Sequence, residues 1–389
     1  MKKILVVLVL LVVSLVRLEA QEGFHFDFHG FVNPHYYADS RSVVGGREDM
    51  MLFYPKPIVR DSLGRDINDG WQANMLAITA RLGLTVKGPE ILGANTLAYI
   101  EGDFTGATNA TIDNLRLRHA YFRMNWDKHE LTAGQYWYAM VVHEIMPMTN
   151  PLNMGAPFHC YARQPQVRYS YFPTGNWELL AVAQWQLDNM SQGLLNGNPQ
   201  SSPLFARHSL IPEFNAQLRY RTSRMFIGAA ANLKTIQPVV PDPTGTLHTS
   251  LSWSLFGKAA LGPVTIKAQT LLNNSLYEGC SLGGYLMLAD GSFRDWHFNT
   301  VWLDIEGNSG HWRPGLFMGY AKNLDFGNTD YTHCFGRGHD LAYLWRVQPR
   351  LTYTTLKGLS LVGEAEYTYA GYNQPVGNLR LSLSAVYAF

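Results

Sequence analysis

The stretch Leu379–Phe389, LRLSLSAVYAF, alternates with period two up to the last residue of the chain. Leu379, Leu381, Leu383, Ala385, Tyr387 and Phe389 fall on one face; Asn378, Arg380, Ser382 and Ser384 fall on the other. This is a strand with one apolar and one polar side. Two structures end this way. One is the half-buried last strand of a soluble sheet. The other is the closing strand of a membrane barrel. The rest of the chain separates them.

The opposite end carries an export pattern. MKKILVVLVLLVVSLVRLEAQ sets Lys2 and Lys3 before the apolar run Ile4–Val13 and ends in Leu18-Glu19-Ala20. It predicts a signal peptide over residues 1–20 and a single mature domain over 21–389. Arg17 and Glu19 end the apolar run too early for a retained membrane helix, and no cysteine follows for lipid attachment. Beyond residue 20 no stretch reaches the roughly 18 apolar residues of a spanning helix. Yet the chain is 47% hydrophobic and only 16% charged. Strands that mix lipid-facing and lumen-facing residues give this balance. A net charge of +1 argues against a polyanion-binding surface, so no nucleic-acid partner is expected. Cys160, Cys280 and Cys334 have no metal-ligand spacing, and a single loop disulfide stays open. No cofactor is implied.

Alternating segments occur near 24–38, 73–88, 92–106, 113–127, 128–140, 163–173, 176–190, 210–222, 224–235, 250–260, 262–273, 296–306, 313–322, 340–355, 359–371 and 376–389. That makes about sixteen strands, an even number as bacterial barrels require. The connections decide between the two readings. They alternate short and long. KGPEIL (87–92) and FPTGNW (172–177) are short, whereas 39–72, 141–162, 188–209, 236–249, 274–295 and 323–339 are long. Two outer connections, near 107–112 and 371–375, are brief. A soluble sandwich has no reason to sort its loops by parity. A transmembrane antiparallel β-barrel does, with tight periplasmic turns and longer extracellular loops. Closure also removes the sheet edges that hydrocarbon would not tolerate. Tyr387 and Phe389 then end the closing strand, and such an end resembles the signal read by barrel-insertion machinery.

Sixteen strands enclose water, so inward residues set what passes. Parity places Arg81, Arg116, Arg118, Arg168, Arg219, Arg221, Lys267, Arg346, Arg350 and Arg380 inside. Fewer acids share that face: Glu101, Asp103, Glu364 and Glu366. The arginines either form a basic ladder that favours anions or pair with those acids across strands. The segment VVHEIMPMTNPLNMGAPFHCYARQP (141–165) follows the fifth strand. Its prolines deny it a long ladder. It is either an ordinary outer loop or a constriction folded into the lumen, lined by His143, Glu144, Pro147, Asn150, Pro151 and Asn153.

LRLRHAYFRMNW (115–126), LTAGQYWYAM (131–140), PLNMGAPFHCYARQPQVRYSYF (151–172) and the terminal Phe resemble the DcaP-like trimeric porins. VKGPEILGANTLAYIEGDFTG (86–106) resembles porins of the Bacteroidetes type. The likeness covers most of the mature chain and is densest over 73–173. It implies a sixteen-stranded homotrimer in the outer membrane of a Gram-negative bacterium, passing small, often anionic solutes. A periplasmic coiled coil common in that family has no heptads here between Gln21 and Phe24. The expectation is a passive, non-enzymatic porin embedded in outer-membrane lipid. The alternative is a barrel with a blocked lumen, acting as an adhesin or structural surface protein.

Two residue patterns suggest sharper chemistries. Parity turns His119 outward beside Leu117 and Tyr121, the side on which a lipid-facing esterase would work, but no serine accompanies it. FHFDFHG (24–30) puts His25, Asp27 and His29 on one strand face. Alternate residues lie about 7 Å apart, too far for three ligands on one ion.

Overall fold

The computed structural model describes residues 23–150, 154–327, 329–355 and 358–389. The signal-peptide expectation, Pro151 and Asn153 lie outside those residues. Strands alternate between polar and apolar neighbours, and a single closed antiparallel sheet results. Eighteen hydrogen-bonded segments make up the wall. Two strands are each interrupted once, which leaves sixteen: β1 (His25–Val32 and His35–Arg41), β2 (Asp69–Leu76 and Arg81–Lys87), β3 (Asn95–Asp103), β4 (Arg116–Asn125), β5 (His129–Trp137), β6 (Arg163–Thr174), β7 (Trp177–Gln184), β8 (Glu213–Arg221), β9 (Met225–Ile236), β10 (His248–Leu261), β11 (Val264–Asn273), β12 (Phe298–Gly307), β13 (Trp312–Asn323), β14 (Tyr343–Thr354), β15 (Leu359–Gly371) and β16 (Val376–Ala388). Pro34 breaks β1, because it cannot donate to a ladder. The sheet closes where β16 pairs with both halves of β1. Phe389 completes the seam by exchanging two backbone hydrogen bonds with Gly30, at 2.9 and 3.0 Å.

The two faces have two solvents. Along β8, Glu213, Asn215, Gln217 and Arg219 are buried while Phe214, Ala216 and Leu218 are exposed. Along β16, Asn378, Arg380, Ser382 and Ser384 are buried while Leu381 and Leu383 are exposed. In water this would be inside out. It is right for a barrel whose outside meets lipid.

One bulge breaks the parity rule. Glu101 pairs with His119 and Gly102 with Leu117, so Arg118 is the extra residue. Both Arg118 and His119 are buried. The carbonyls freed at Leu117 and Arg118 are taken by Gln135 Nε2, at 3.0 and 3.2 Å. Gly134 supports the distortion from β5. Its φ is +127°, and a Cβ there would lie 2.2 Å from the Ala120 carbonyl. His119 therefore faces the lumen, not lipid, which corrects the outward placement from simple alternation.

Two long connections turn inward. Residues 145–162 contain no Asp, Glu, Lys or Arg. The 138–162 connection packs Met140, Ile145, Ala156 and Phe158 against inward Leu271, Trp302 and Phe317 of the β11–β13 wall. Gly319 makes the seat: a Cβ there would come 2.6 Å from the Phe158 ring. The first connection also folds in, as the hairpin Val43–Gly46 with Met51–Pro55. Periodicity alone assigns 39–72 to a long outer connection and does not indicate this hairpin. The barrel interior thus has an apolar, loop-filled side and a polar side.

Candidate functional site

The inward loops are pinned by wall charges acting on loop backbone. Lys267 Nζ donates to the Met146 carbonyl at 3.2 Å. Arg346 donates to the carbonyls of Ala156, Leu52 and Phe53 at 2.7 to 3.1 Å. Arg380 donates to those of Asp49 and Met50. Asp304 accepts from Met148 N–H at 3.4 Å. Asn150 N–H donates to both oxygens of Glu364 at 3.1 Å, and its side chain joins Ser382 and Ser384. These bonds carry the 138–162 segment across to the β15–β16 wall. Lys267, Arg346 and Arg380, expected along open water, lie beneath the loops and are all buried.

Two cavities remain on the polar side. The inner one, about 360 Å³, is lined by Arg123, Tyr136, Glu144, Arg168, Glu178 and Arg219, with turn residues Gly175 and Asn176 placing it at the short-turn end. His143 and Arg221 share it. The outer one, about 460 Å³, is lined by Arg116, Arg118, Tyr161 and Arg163, with Arg47, Glu278 and Arg337 from long connections. The two share no lining residue. Aromatic rings stand between them. His119 meets Tyr136 at 5.6 Å and Trp137 at 5.1 Å, and Trp137 meets Tyr161 at 5.7 Å between centroids.

The basic residues are mostly neutralised. Arg81 reaches Glu101 at 3.6 Å; Arg116 reaches Asp103 at 2.7 Å; Arg118 bridges Glu101 at 2.5 Å and Asp103 at 2.7 Å. Arg219 pairs with Glu144 and Glu178, and Arg221 with Glu144. Lys267 pairs with Glu306, Arg346 with Glu366, Arg350 with Asp304 and Glu306, and Arg380 with Asp39. Of the ten inward basic residues that alternation picks out, Arg168 alone has no described ion-pair partner. It donates to the Trp137 carbonyl and Gln166, and lies 4.9 Å over Tyr136. Cross-strand pairing thus outweighs the ladder, since opposed charges in a low-dielectric wall attract strongly.

Alternation missed several of these groups. Asp39 and Arg123 lie near strand ends, and Asp304 and Glu306 lie on the inward face of β12, where both pair with Arg350. Arg163 has the opposite parity to Gln166 and Arg168, yet is buried. It stacks 4.0 Å over Trp137 and donates to His119 Nε2 and Tyr161 Oη, at 3.2 and 3.1 Å. His29, from the histidine-rich first strand, is hydrogen-bonded to Tyr99 at 3.1 Å. Cys160, Cys280 and Cys334 are free thiols.

In the connection, Glu144 Oε1 lies 3.2 Å from both Arg219 and Arg221. Burial works to raise its pKa; Arg219, then His143 and Arg221, outweigh that and hold the carboxyl at about 2.

The architecture defines the class: a sixteen-stranded barrel with the fold of outer-membrane porins. No family model matches the chain, and no curated protein does. Among solved structures it is similar to the outer membrane channel DcaP of Acinetobacter baumannii, at 20% identity and a TM-score of 0.73, covering 95% of this chain and 99% of that one. An anion-selective porin from Comamonas acidovorans aligns at 10% identity and TM-score 0.58, covering 94% and 100%. Salmonella typhi OmpF aligns at 10% identity and TM-score 0.59, covering 94% and 98%. The resemblance expected from sequence thus extends to the fold.

Proposed function

We propose that the chain is an outer-membrane porin through which small hydrophilic solutes diffuse passively. The observation that carries this reading is the pair of polar cavities on the β3–β8 side of a barrel whose other side is packed with loop. The segment 138–162 acts as the constriction: His143 and Glu144 narrow the inner cavity, while Pro147 and Asn150 lie where the segment is tied to the β11–β12 and β15–β16 walls. Solutes are sorted by size there and by charge along β4 and β6. A bias toward anions comes from Arg163 and Arg168, whose bonds go to no carboxylate among the described residues. Arg116, Arg118, Arg219 and Arg221 line the cavities but carry their own carboxylates.

The mature domain, residues 21–389, sits in outer-membrane lipid as a homotrimer after removal of a signal peptide. Tyr387 and Phe389 serve barrel insertion. No catalysis is proposed. Ser250, His248 and Asp295 lie together, but Ser250 Oγ and Asp295 Oδ1 approach the same ring nitrogen, at 3.3 and 2.8 Å. A proton relay needs opposite nitrogens.

Planar-bilayer recording of the purified protein across a salt gradient tests the reading. Conductance in groups of three steps with an anion-biased reversal potential is expected. The rival is a barrel with a blocked lumen serving as a surface structure. What favours it is the aromatic partition between the cavities. Folded protein that never conducts would establish the rival.

A further inference from the structure

Tyr161 lies under the outer cavity, at the partition. It belongs to the inward connection, not to a barrel strand. Its Oη accepts from Arg163 Nη2 at 3.1 Å and from Arg118 Nη1 at 3.4 Å. Among the described residues it donates to no acceptor. A guanidinium has no lone pair to offer, so a neutral phenol cannot place its proton on either neighbour. A phenolate has no proton to place, and its charge falls between two cations. The surroundings extend this asymmetry. Burial opposes ionisation; Arg163 first, then Arg118, Arg116 and Arg81, outweigh it and bring the phenol down to about 7.

We propose that Tyr161 is a titrating residue that sets the charge of the partition. As tyrosinate it fills the Arg118–Arg163 pair with the protein's own oxyanion. As phenol it leaves Arg163, which has no carboxylate partner among the described residues, as an uncompensated cation that favours a permeating anion. Ionisation releases one proton to water and changes no other bond.

The neighbouring charges are accounted for on every side. Glu101 and Asp103 of β3 are held by Arg81, Arg116 and Arg118. His119 of β4 accepts from Arg163 through Nε2, so that nitrogen carries no proton. Arg47 and Cys280 come from outer connections, and the Tyr161 N–H is fixed to the Gly279 carbonyl at 2.6 Å. Glu278, beside them, is paired with Lys234. Arg337 is occupied by the Tyr277 and Ser281 carbonyls. Asp188 lies on the exposed outer rim. The two guanidinia of Arg118 and Arg163 are thus the groups that meet the oxygen.

The sign follows. Below the phenol's midpoint the partition carries one more positive charge, so anion preference rises as pH falls. This transport consequence rests on the porin reading; the ionisation itself does not. Two measurements separate them. The first is tyrosinate ultraviolet absorbance of the folded wild type in detergent. Between about pH 6 and about pH 8, well below the ordinary tyrosine value of about 10, one of the 21 tyrosines should ionise. In Tyr161→Phe that step should vanish. Should this variant not fold, Arg163→Gln serves instead and should move the step toward about 10. No tyrosinate below about pH 9 in the wild type overturns the proposal.

The second is the reversal potential across a salt gradient at about pH 6 and about pH 8. Wild type should lose anion preference at the higher pH, and Tyr161→Phe should hold the low-pH value at both. A wild-type reversal potential that ignores pH while the tyrosine ionises overturns the charge-setting role. An absence of conductance defeats the porin reading, and the absorbance titration still decides the ionisation.

Discussion

Arg118 shows what one side chain holds in this wall. It is 1% exposed and ties Glu101 to Asp103. Arg118→Ala would leave two buried carboxylates short of a cation, which costs about 3 kcal/mol or more. Loss of the heat-resistant folded band in detergent gels at lower temperature would register it. The double change Arg116→Ala, Arg118→Ala should shift reversal potentials toward cations; unchanged potentials would remove this wall from the selectivity filter. Arg168→Gln is the cleaner probe of selectivity. It removes a cation with no described carboxylate, so it should reduce anion preference with little change in stability. Glu144 adds a pH prediction. Its folded pKa, about 2, lies below the ordinary glutamate value. A depressed acid stabilises fully above its unfolded pKa of about 4.3 and loses that contribution as pH falls through its folded value. The tether to Arg219 and Arg221 should hold through mild acid, so in Tyr161→Phe, where the other titration is absent, conductance should be flat from about pH 7 to about pH 5 and change only well below.

On the proposed porin reading, the 138–162 connection is the constriction. It is held by backbone bonds to Lys267, Asp304, Arg346 and Glu364 and by apolar packing on the β11–β13 wall. Deleting residues 147–155 should raise single-channel conductance, and an unchanged value would show that the narrow point lies elsewhere. Gly319→Val tests the seat from the wall side. Its added carbons meet the Phe158 ring, so overpacking should cost about 1–3 kcal/mol. Equilibrium unfolding in urea, followed by tryptophan fluorescence, measures that cost. Nothing in the local pattern of β13 marks Gly319 as a seat; only Phe158, far away in sequence, gives it that role.

At the scale of the molecule, closure is a single seam. β16 meets β1, and Phe389 is the last residue to bond there. Deleting Phe389 should lower the amount of folded barrel reaching the outer membrane, measured by the heat-modifiable band in membrane fractions. The wall supplies one further constraint: with loops filling the β9–β15 side, the two polar cavities lie off-centre, along β3–β8. The arginines of the two sides therefore do different work. Arg116, Arg118, Arg163, Arg168 and Arg219 face the cavities. Arg346 and Arg380 hold loops in place.

The strand count, the sorting of loops by length and the barrel class were legible in the sequence. Each rests on local rules. A strand between lipid and water must alternate residue by residue, and turns on one side must be short, whatever the distant parts of the chain do. Phe214 to Arg221 and Leu379 to Phe389 state this openly. The site was only partly legible. The inward arginines followed from parity, but their partners did not. Arg118 meets Glu101, Arg350 meets Asp304 and Arg380 meets Asp39 through cross-strand register, and register depends on contacts far apart in the chain. The bulge at Arg118 reverses the face of His119 without any local signal, and Gln135 on the next strand satisfies it. The inward hairpin of the first connection is fixed by Arg346 and Arg380, some three hundred residues away. Local chemistry determined which residues alternate. Tertiary structure alone decided which charges cancel and where water remains, because both are properties of side chains brought together from opposite ends of the chain.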